Sequence, residues 1–318
     1  MSETLTFEPL FMERVWGGRR LETLLGKDLP AGAVIGEAWE IVDRPEAQSV
    51  VAAGALAGQT LHDLWAGPDG AALFGTRAAR WGDRFPLLIK ILDCEDTLSV
   101  QVHPPAAVAA SLGGEPKTEM WVILAASPGA HLFAGLRAGV TREAFETALR
   151  GGEDVSALLQ RIDSEPGDVM FLPSGRIHAI GGGNLIVEIQ QNSDTTYRVY
   201  DFDRPGLDGK PRELHVDQSL VAIDWNDVEP GLVEPDGDSL VRADVFVVER
   251  WTLAPGEARR VTDHGECAIV TTLDGAVTVG GVPVAPGTLA LVPADAADPV
   301  LHAPADQAAT VLRIALPG

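Results

Sequence analysis

One histidine of the sequence follows a turn that suits a metal ligand. Residues 167–178 follow the pattern G-x5-P-x-G-x2-H, in which a short alternating strand stops at Pro173 and a tight turn at Gly175 precedes His178. A neutral imidazole fixed at the mouth of a β-barrel can bind a metal ion. A histidine in an ordinary surface loop accounts for the pattern equally well, so other residues have to decide between the two.

A second group of polar residues lies on one face of a predicted strand. Because successive side chains of a strand point to opposite faces, Ser99, Gln101 and His103 share a face. Polar groups on a buried face are costly unless they are satisfied, and a glutamine and a histidine two residues apart can bind the same ion. The alternative is an exposed edge strand that ends at Pro104 and Pro105.

Charged residues also interrupt two apolar strands. Lys117 and Glu119 share a face with Trp121, so that a carboxylate ligand and a cation would lie side by side. A solvated ion pair explains these two residues as well. Lys90 interrupts the apolar strand 85–93, which indicates either a buried ion pair or a face that lines a cavity, and we favour the cavity.

The predicted strand 184–191 leads to the remaining candidates. Glu188 and Gln190 share one face of this strand, and Asp194 and Arg198 follow in a segment that mixes turn formers with strand formers. A guanidinium beside a metal site would bind a developing oxyanion or a phosphate.

Four of these groups form a plausible metal site, namely Gln101, His103, Glu119 and His178. Two imidazoles, one carboxylate and one amide oxygen suit Zn²⁺, with Mn²⁺, Fe²⁺ or Co²⁺ as alternatives. The set contains no thiolate, and a site with room for water or substrate is catalytic in style.

The composition limits the partners of the protein. Its formal net charge of −22 repels nucleic acid and anionic membranes, so an anionic substrate would need local cations. No apolar run reaches the roughly 18 residues of a membrane span, and the N-terminus lacks a signal-peptide pattern. Cys94 and Cys267 are the only cysteines, which leaves no disulfide framework. We therefore predict a cytoplasmic protein that binds neither nucleic acid nor membranes.

An internal repeat predicts the organisation of the chain. The content of 34 Gly and 22 Pro is typical of many short strands and turns. Residues 286–295 repeat the pattern of residues 166–175 from Pro-Gly to Pro, but Asp298 stands at the place of His178. The second half therefore reads as the same barrel built again without its metal turn.

We predict a mainly β fold with two barrels in tandem and a few short helices. The first domain would span residues 1–208 and hold the site, and the second would span residues 209–318. His215, His264 and His302 have no neighbours at ligand spacing and are not assigned to the site.

Four segments give the sequence a resemblance to a known family. They read LSVQVHP at 98–104, KTEMW at 117–121, GDVMFLPSGRIHAIGGG at 167–183 and NSDTTYRVYDFDR at 192–204. Together they resemble the type I mannose-6-phosphate isomerases (phosphomannose isomerases) in their short bacterial form. The resemblance covers most of residues 10–205 and the degenerate second half.

The resemblance implies two cupin (jelly-roll) barrels, the second degenerate and metal-free, and one Zn²⁺ per chain. The metal would be held by Gln101, His103, Glu119 and His178, which match the family's motifs.

The resemblance also assigns the residues around the metal. Arg198 matches the family's catalytic arginine, with Asp194 four residues before it, and Lys117 matches the active-site lysine. Ser99 matches the serine near the substrate phosphate. We accordingly assign substrate binding to Ser99, Lys117, Arg198 and Glu188.

The implied reaction interconverts mannose 6-phosphate and fructose 6-phosphate through a cis-enediol, so that a proton moves between C2 and C1. Lys117 and Arg198 would stabilise the negative charge that develops on the sugar oxygens. Asp194, Glu188 and Lys117 are candidates for the base, and the sequence does not choose among them.

Two alternative functions remain open at this point. A non-catalytic sugar-binding cupin would have no need of Arg198. An Fe²⁺ cupin dioxygenase would need a compact site without Lys117 and Arg198 as oxyanion partners. The sequence also leaves the oligomeric state, monomer or homodimer, undetermined.

Overall fold

Strands are the dominant regular structure of the protein and helices are few and short, so the mainly β prediction is confirmed. The computed structural model describes residues 1–262 and 265–318. His264, for which no ligand role was predicted, lies outside the described residues.

The first part of the chain contributes the strands β1 (Leu5–Thr6), β2 (Leu10–Gly18), β3 (Ile35–Ile41), β4 (Leu87–Cys94), β5 (Val100–Val102), β6 (Glu119–Ala126), β7 (His131–Leu136), β8 (Leu159–Asp163), β9 (Val169–Leu172), β10 (His178–Ile180), β11 (Asn184–Gln191) and β12 (Tyr197–Tyr200). The later part contributes β13 (Ser239–Arg242), β14 (Val247–Leu253), β15 (Ala258–Arg260), β16 (Ala268–Asp274), β17 (Val277–Val279), β18 (Val282–Val284), β19 (Ala290–Val292), β20 (Val300–His302) and β21 (Ala309–Ala315).

Helices are short and lie between these strands. They are α1 (Arg20–Thr23), α2 (Leu61–Ala66), α3 (Gly70–Phe74), α4 (Ala106–Ala109), α5 (Arg142–Arg150) and α6 (Val216–Ala222), with single 3₁₀ turns at Ala78–Trp81, Ala110–Leu112 and Val155–Leu158. Among the described residues, no helix has the length and apolar character needed to cross a membrane.

In the described ranges the strands form four sheets that stack face to face. Their strand orders are β12-β5-β10-β7-β8 in sheet 1, β2-β3-β4-β11-β6-β9 in sheet 2, β1-β19-β16-β21-β14-β13 in sheet 3 and β15-β20-β17-β18 in sheet 4. Separate apolar clusters fill the three interfaces between consecutive sheets. Sheets 2 and 3 are therefore covered on both faces.

The alternation of side chains along β4 shows why its sequence is almost continuously apolar. Ile89 and Ile91 pack with the residues of sheet 3. Leu92 packs toward sheet 1, and Lys90 shares its side of the strand. A strand that is buried on both faces cannot show a simple alternation of apolar and polar residues, so Lys90 marks the place where one face meets a polar cavity.

The outer face of sheet 1 is closed by α5 and α6. Thr141 caps α5 by accepting a hydrogen bond from the backbone N–H of Ala144 at 3.2 Å, as expected for a helix start of this kind. Phe145 and Leu149, four residues apart on one side of α5, are buried against the sheet. This apolar layer leaves the inner face of sheet 1 as the place where polar side chains meet.

Two segments of the chain pack against the half to which the predicted boundary does not assign them. Leu5 and Thr6 of β1 pair with Leu291 and Ala290 of β19 in sheet 3. Helix α6 instead packs on β5 and β12 of sheet 1, although it follows residue 209. The boundary between residues 208 and 209 stays a prediction.

Candidate active site

Three buried residues converge between sheets 1 and 2. They are His103 after β5, Glu119 at the start of β6 and His178 at the start of β10, and their potential ligand atoms lie within 4.8 Å of one another. Nε2 of His103 is 3.3 Å from Oε2 of Glu119, and Nε2 of His178 is 3.5 Å from Oε1 of the same carboxylate. His178, the histidine that follows the turn at Gly175, is therefore part of a buried cluster and not a residue of a surface loop.

Backbone carbonyls fix the orientation of both imidazoles. Nδ1 of His103 lies 2.9 Å from the carbonyl oxygen of Thr195, and Nδ1 of His178 lies 2.9 Å from that of Arg176. Because a carbonyl oxygen only accepts, each Nδ1 carries the proton and each Nε2 directs a lone pair toward Glu119. Burial lowers the pKa of His178 and lowers that of His103 to about 4, which keeps both rings neutral.

The convergent atoms lack partners of their own. Within residues 1–262 and 265–318, Nε2 of His103 and Oε1 of Glu119 are buried and accept no hydrogen bond. An unpaired buried acceptor is costly, and two imidazole lone pairs facing a carboxylate are the donor set of a divalent metal. The side chains present therefore fit a metal ion.

Lys117 holds Glu119 in its charged form. Its Nζ is 2.9 Å from Oε2 of Glu119, and both side chains are almost completely buried. Burial by itself would raise the pKa of Glu119, but the Lys117 ammonium holds that pKa well below its ordinary value. Burial likewise opposes the charge on Lys117, but Glu119 and Glu188 raise its pKa, so the ammonium stays protonated.

The register of sheet 1 aligns Gln101 with two other site residues. Gln101 of β5 lies directly opposite His178 of β10 on one side and opposite Arg198 of β12 on the other. Directly opposed side chains share a face of the sheet. As placed, the Gln101 amide nitrogen is 3.3 Å from Nε2 of His178, and a half turn of the amide exchanges this nitrogen for the oxygen.

A row of polar residues on sheet 2 forms the opposite wall. Glu188 of β11 lies opposite Lys90 of β4 and opposite Trp121 of β6. Nζ of Lys90 is 3.3 Å from Oε2 of Glu188, and the Trp121 indole N–H donates to Oε1 at 3.1 Å. The Trp121 ring also packs edge-on against His178, which couples this wall to the cluster. Lys90 thus both forms a buried ion pair and lines a cavity.

A cavity of about 540 Å³ opens beside the cluster. Its lining contains every predicted site residue outside the buried triad, namely Ser99, Gln101, Lys117, Glu188, Asp194 and Arg198. Ser99 and Lys117 lie at buried positions, whereas Asp194 is exposed. Strands from both sheets thus bring together residues that are up to 99 positions apart, from Ser99 to Arg198.

Several cavity residues were not predicted from the sequence. They are Glu13, Arg14, Glu37, Asp208, Arg212 and His215. Glu37 accepts two hydrogen bonds from Arg14 and one from the Trp39 indole. His215 was set aside for want of a ligand spacing, but its Nδ1 accepts a hydrogen bond from the backbone N–H of Arg198 at 3.2 Å. Glu37 and Trp39 are two residues apart in β3 and therefore share a face. This spacing could have identified Glu37 from the sequence.

Replacing Glu37 by glutamine should flatten the acid side of the stability profile. Burial raises the pKa of Glu37, but Lys90 and Arg14 outweigh it and hold the pKa at about 2, against an ordinary 4.5. Since the folded-state pKa is the lower one, this stabilisation is complete above pH 4.5 and is lost as the pH falls toward 2.

Between pH 6 and pH 3.5, the wild type should lose about 1.4 kcal/mol more free energy of unfolding than Glu37→Gln. Urea denaturation at both pH values measures this difference. Glu13→Gln, which removes an exposed carboxylate of β2, the strand next to that of Glu37, should behave as the wild type does. Equal losses in the wild type and Glu37→Gln would contradict the assignment.

Fold and site together define a cupin-type β protein with a candidate metal centre beside a cavity that is lined by both basic and acidic side chains. Residues 5–120 match the family model described as "Phosphomannose isomerase type I, catalytic domain". Mannose-6-phosphate isomerase ManA of Bacillus subtilis is 44% identical over 225 residues, which cover 70% of this chain and 69% of that protein. Mannose-6-phosphate isomerase of Streptococcus mutans is 38% identical over 285 residues, which cover 86% of this chain and 88% of that protein.

A solved structure agrees with these relatives. The crystal structure of mannose 6-phosphate isomerase from Bacillus subtilis superposes with a TM-score of 0.83 at 31% identity and covers 98% of this chain and 99% of that one. The chain therefore belongs to the type I phosphomannose isomerase family and is an aldose–ketose isomerase. The family resemblance seen in the sequence is confirmed.

Proposed function

We propose that this enzyme interconverts mannose 6-phosphate and fructose 6-phosphate at a site that holds one divalent metal ion, Zn²⁺ in preference to Mn²⁺, Co²⁺ or Fe²⁺. The observation that carries the proposal is the pair of neutral imidazoles whose Nε2 lone pairs face the two carboxylate oxygens of Glu119, of which Oε1 has no hydrogen-bond partner among the described residues. Two nitrogen ligands and a carboxylate suit zinc, and the adjoining cavity leaves room for substrate.

Four residues would hold the metal, namely Gln101, His103, Glu119 and His178. The first would contribute its amide oxygen after the half turn described above. When bound, the ion supplies Lewis-acid stabilisation of negative charge on the sugar oxygens. The carbonyls of Thr195 and Arg176 keep both imidazoles in the tautomer that such binding requires.

Two fixed cations of the chain would bind the negatively charged oxygens of the substrate. Lys117 stays protonated beside Glu119 and can donate to an oxygen at the reacting carbons. Arg198 lies opposite Gln101 in the register of sheet 1, and its buried Nε has no hydrogen-bond partner among the described residues. A buried N–H donor without a partner in the enzyme can donate a hydrogen bond to an oxygen of the substrate.

Asp194 is the base that best fits the surroundings of the three candidates. Lys117 is held as an ammonium, and Glu188 already accepts from Trp121 and pairs with Lys90. Asp194 lines the cavity and forms no ion pair or hydrogen bond with the described part of the chain. Its carboxylate would take the proton from C2, return it to C1 and so pass through a cis-enediol. Ser99 would lie near the substrate phosphate, as the family resemblance implies, and Glu188 would orient a sugar hydroxyl.

Removal of the metal should abolish turnover reversibly. In a coupled assay with mannose 6-phosphate, treatment with a chelator should lower kcat by at least about 1,000-fold, since the ion stabilises the developing charge. Addition of Zn²⁺ should restore activity, and Mg²⁺, which prefers oxygen ligands, should not. Full activity after chelation would contradict the metal proposal, and no turnover with any metal would favour a sugar-binding role without catalysis.

A further inference from the structure

The segment between Arg204 and His215 forms one wall of the cavity. It folds back on itself through a hydrogen bond from the backbone N–H of Gly206 to the carbonyl of Lys210 at 2.6 Å. Its tip is exposed, and the cavity lining includes Gly206, Leu207, Asp208, Arg212 and His215 from this segment. We call residues 204–212 the rim loop.

One buried carboxylate fastens both ends of the rim loop. Asp201 is only 5% exposed and accepts hydrogen bonds from Nε of Arg212 at 2.6 Å and from Nε of Arg204 at 3.2 Å. Between these contacts Phe202 and Asp203 have φ angles of 55° and 51°, a left-handed conformation that is costly for non-glycine residues. The two guanidinium contacts offset this strain and fix where the loop begins and ends.

Asp201 uses only one edge of the Arg212 guanidinium. The Asp201 carboxylate accepts hydrogen bonds from Nε and Nη2 of Arg212. Nη1 of Arg212 makes no hydrogen bond to the residues that the structure describes. Nη1 therefore keeps both of its N–H donors for a ligand. Arg198 adjoins this end of the loop, because its Nη1 donates to the carbonyl of Glu213 at 2.8 Å and its Nε remains unpartnered.

The other cations of the cavity are already neutralised. Each of them forms an ion pair with a carboxylate of its own, namely Arg14 with Glu37, Lys90 with Glu188 and Lys117 with Glu119. Arg198 forms no ion pair within the described ranges, and at the base of the loop three guanidiniums share two carboxylates, because Arg204 also pairs with Asp96. Although the carboxylates of Asp194 and Asp208 also line the cavity, the excess of guanidiniums at the base of the loop is where a phosphate dianion can bind in a chain of net charge −22.

We propose that Arg212 is a substrate-binding residue that takes the phosphate group of the sugar phosphate together with Arg198, and that Asp201 is the positioning residue that presents Arg212 to the cavity. The proposal rests on the proposed function for the identity of the sugar. The recognition itself requires only a phosphate dianion, whose oxygens accept from both guanidiniums.

Binding measurements test this assignment without relying on turnover. Calorimetry on the zinc-loaded protein compares 1,5-anhydromannitol 6-phosphate, which lacks the reactive anomeric hydroxyl and cannot be isomerised, with unphosphorylated 1,5-anhydromannitol for the wild type, Arg212→Met and Asp201→Asn. The wild type should prefer the phosphorylated sugar, and Arg212→Met should reduce that preference by about 10- to 100-fold, as expected for the loss of charge-assisted hydrogen bonds. Arg259→Met, which removes an arginine held by Asp238 in the second half, should leave the preference unchanged.

Kinetics separate positioning from a general structural effect. Asp201→Asn should raise KM for mannose 6-phosphate by about tenfold with a smaller change in kcat, and Asp201→Glu should recover part of the loss. If Arg212→Met weakens both sugars equally, or if the wild type shows no preference for the phosphorylated sugar, the proposal is wrong. A wild type that binds mannose 6-phosphate tightly but does not isomerise it would refute the proposed function and leave this inference standing.

Discussion

Replacing Glu119 by glutamine is expected to abolish metal binding and to lower kcat by at least about 1,000-fold. The substitution keeps the shape of the side chain but removes the charge that faces Nε2 of His103 and Nε2 of His178. It also leaves the Lys117 ammonium, 4% exposed, without its carboxylate. Loss of one partner of a buried ion pair costs about 3–5 kcal/mol of stability, so the free energy of unfolding should fall as well.

Zinc content by metal analysis, kcat by the coupled assay and urea denaturation measure the three effects separately. Glu40→Gln is the matched control, because Glu40 is a buried carboxylate 2.7 Å from the ammonium of Lys27 but lies outside the cavity. We expect this control to lose stability while it retains zinc and kcat. A Glu119→Gln protein that binds one zinc and keeps kcat within tenfold of the wild type would contradict the assignment of Glu119 as a metal ligand.

Replacing Arg198 by alanine should lower kcat by about 100- to 1,000-fold and should raise KM as well. Arg198 is the cavity cation that forms no ion pair with described residues, so its charge is available to the substrate. Lysine at this position keeps the charge but loses the planar fork, and we expect an intermediate kcat. Steady-state kinetics with mannose 6-phosphate measure both constants.

Arg250→Ala provides the matched control for this change. Arg250, like Arg198, is half-buried and donates to a backbone carbonyl, that of Gly167 at 2.8 Å. Its loss should leave kcat and KM within about twofold of the wild type. An Arg198→Ala protein with full activity would contradict the mechanism and would favour a sugar-binding function without catalysis.

Local sequence patterns were sufficient to predict that His103, Glu119 and His178 face inward, because the direction of a side chain along a strand is a local property. The turn at Gly175 and the alternation along β5 and β6 determine which side chains face inward, and both patterns can be read from a few neighbouring residues. The ion pair between Lys90 and Glu188 was not predicted as a pair, because it depends on the register between β4 and β11. Strand register is set by tertiary packing and not by either strand alone.

The rim loop illustrates the same limit more strongly. Its composition marked residues 204–214 as turn-rich, and so suggested a domain boundary and not a wall of the site. Arg212 and His215 enter the cavity because Asp201 fastens the loop and because His215 bonds to the backbone of Arg198. Those contacts form only because the chain folds back beside β12 after the rim loop. No local sequence pattern encodes that return.

By itself, the sequence determined the mainly β class and the polar residues that share a face along several strands, because period-two alternation and turn chemistry are short-range properties. Its four motifs carried the resemblance to the family. Only the tertiary structure decided which inward faces meet. It showed that Nε2 of His103 and Nε2 of His178 converge on one carboxylate, that three cavity cations are already neutralised, and that Arg198 and Arg212 keep donors without a partner in residues 1–262 and 265–318. Partner identity depends on sheet register and on the packing of distant segments, so it appears only when the whole chain is folded.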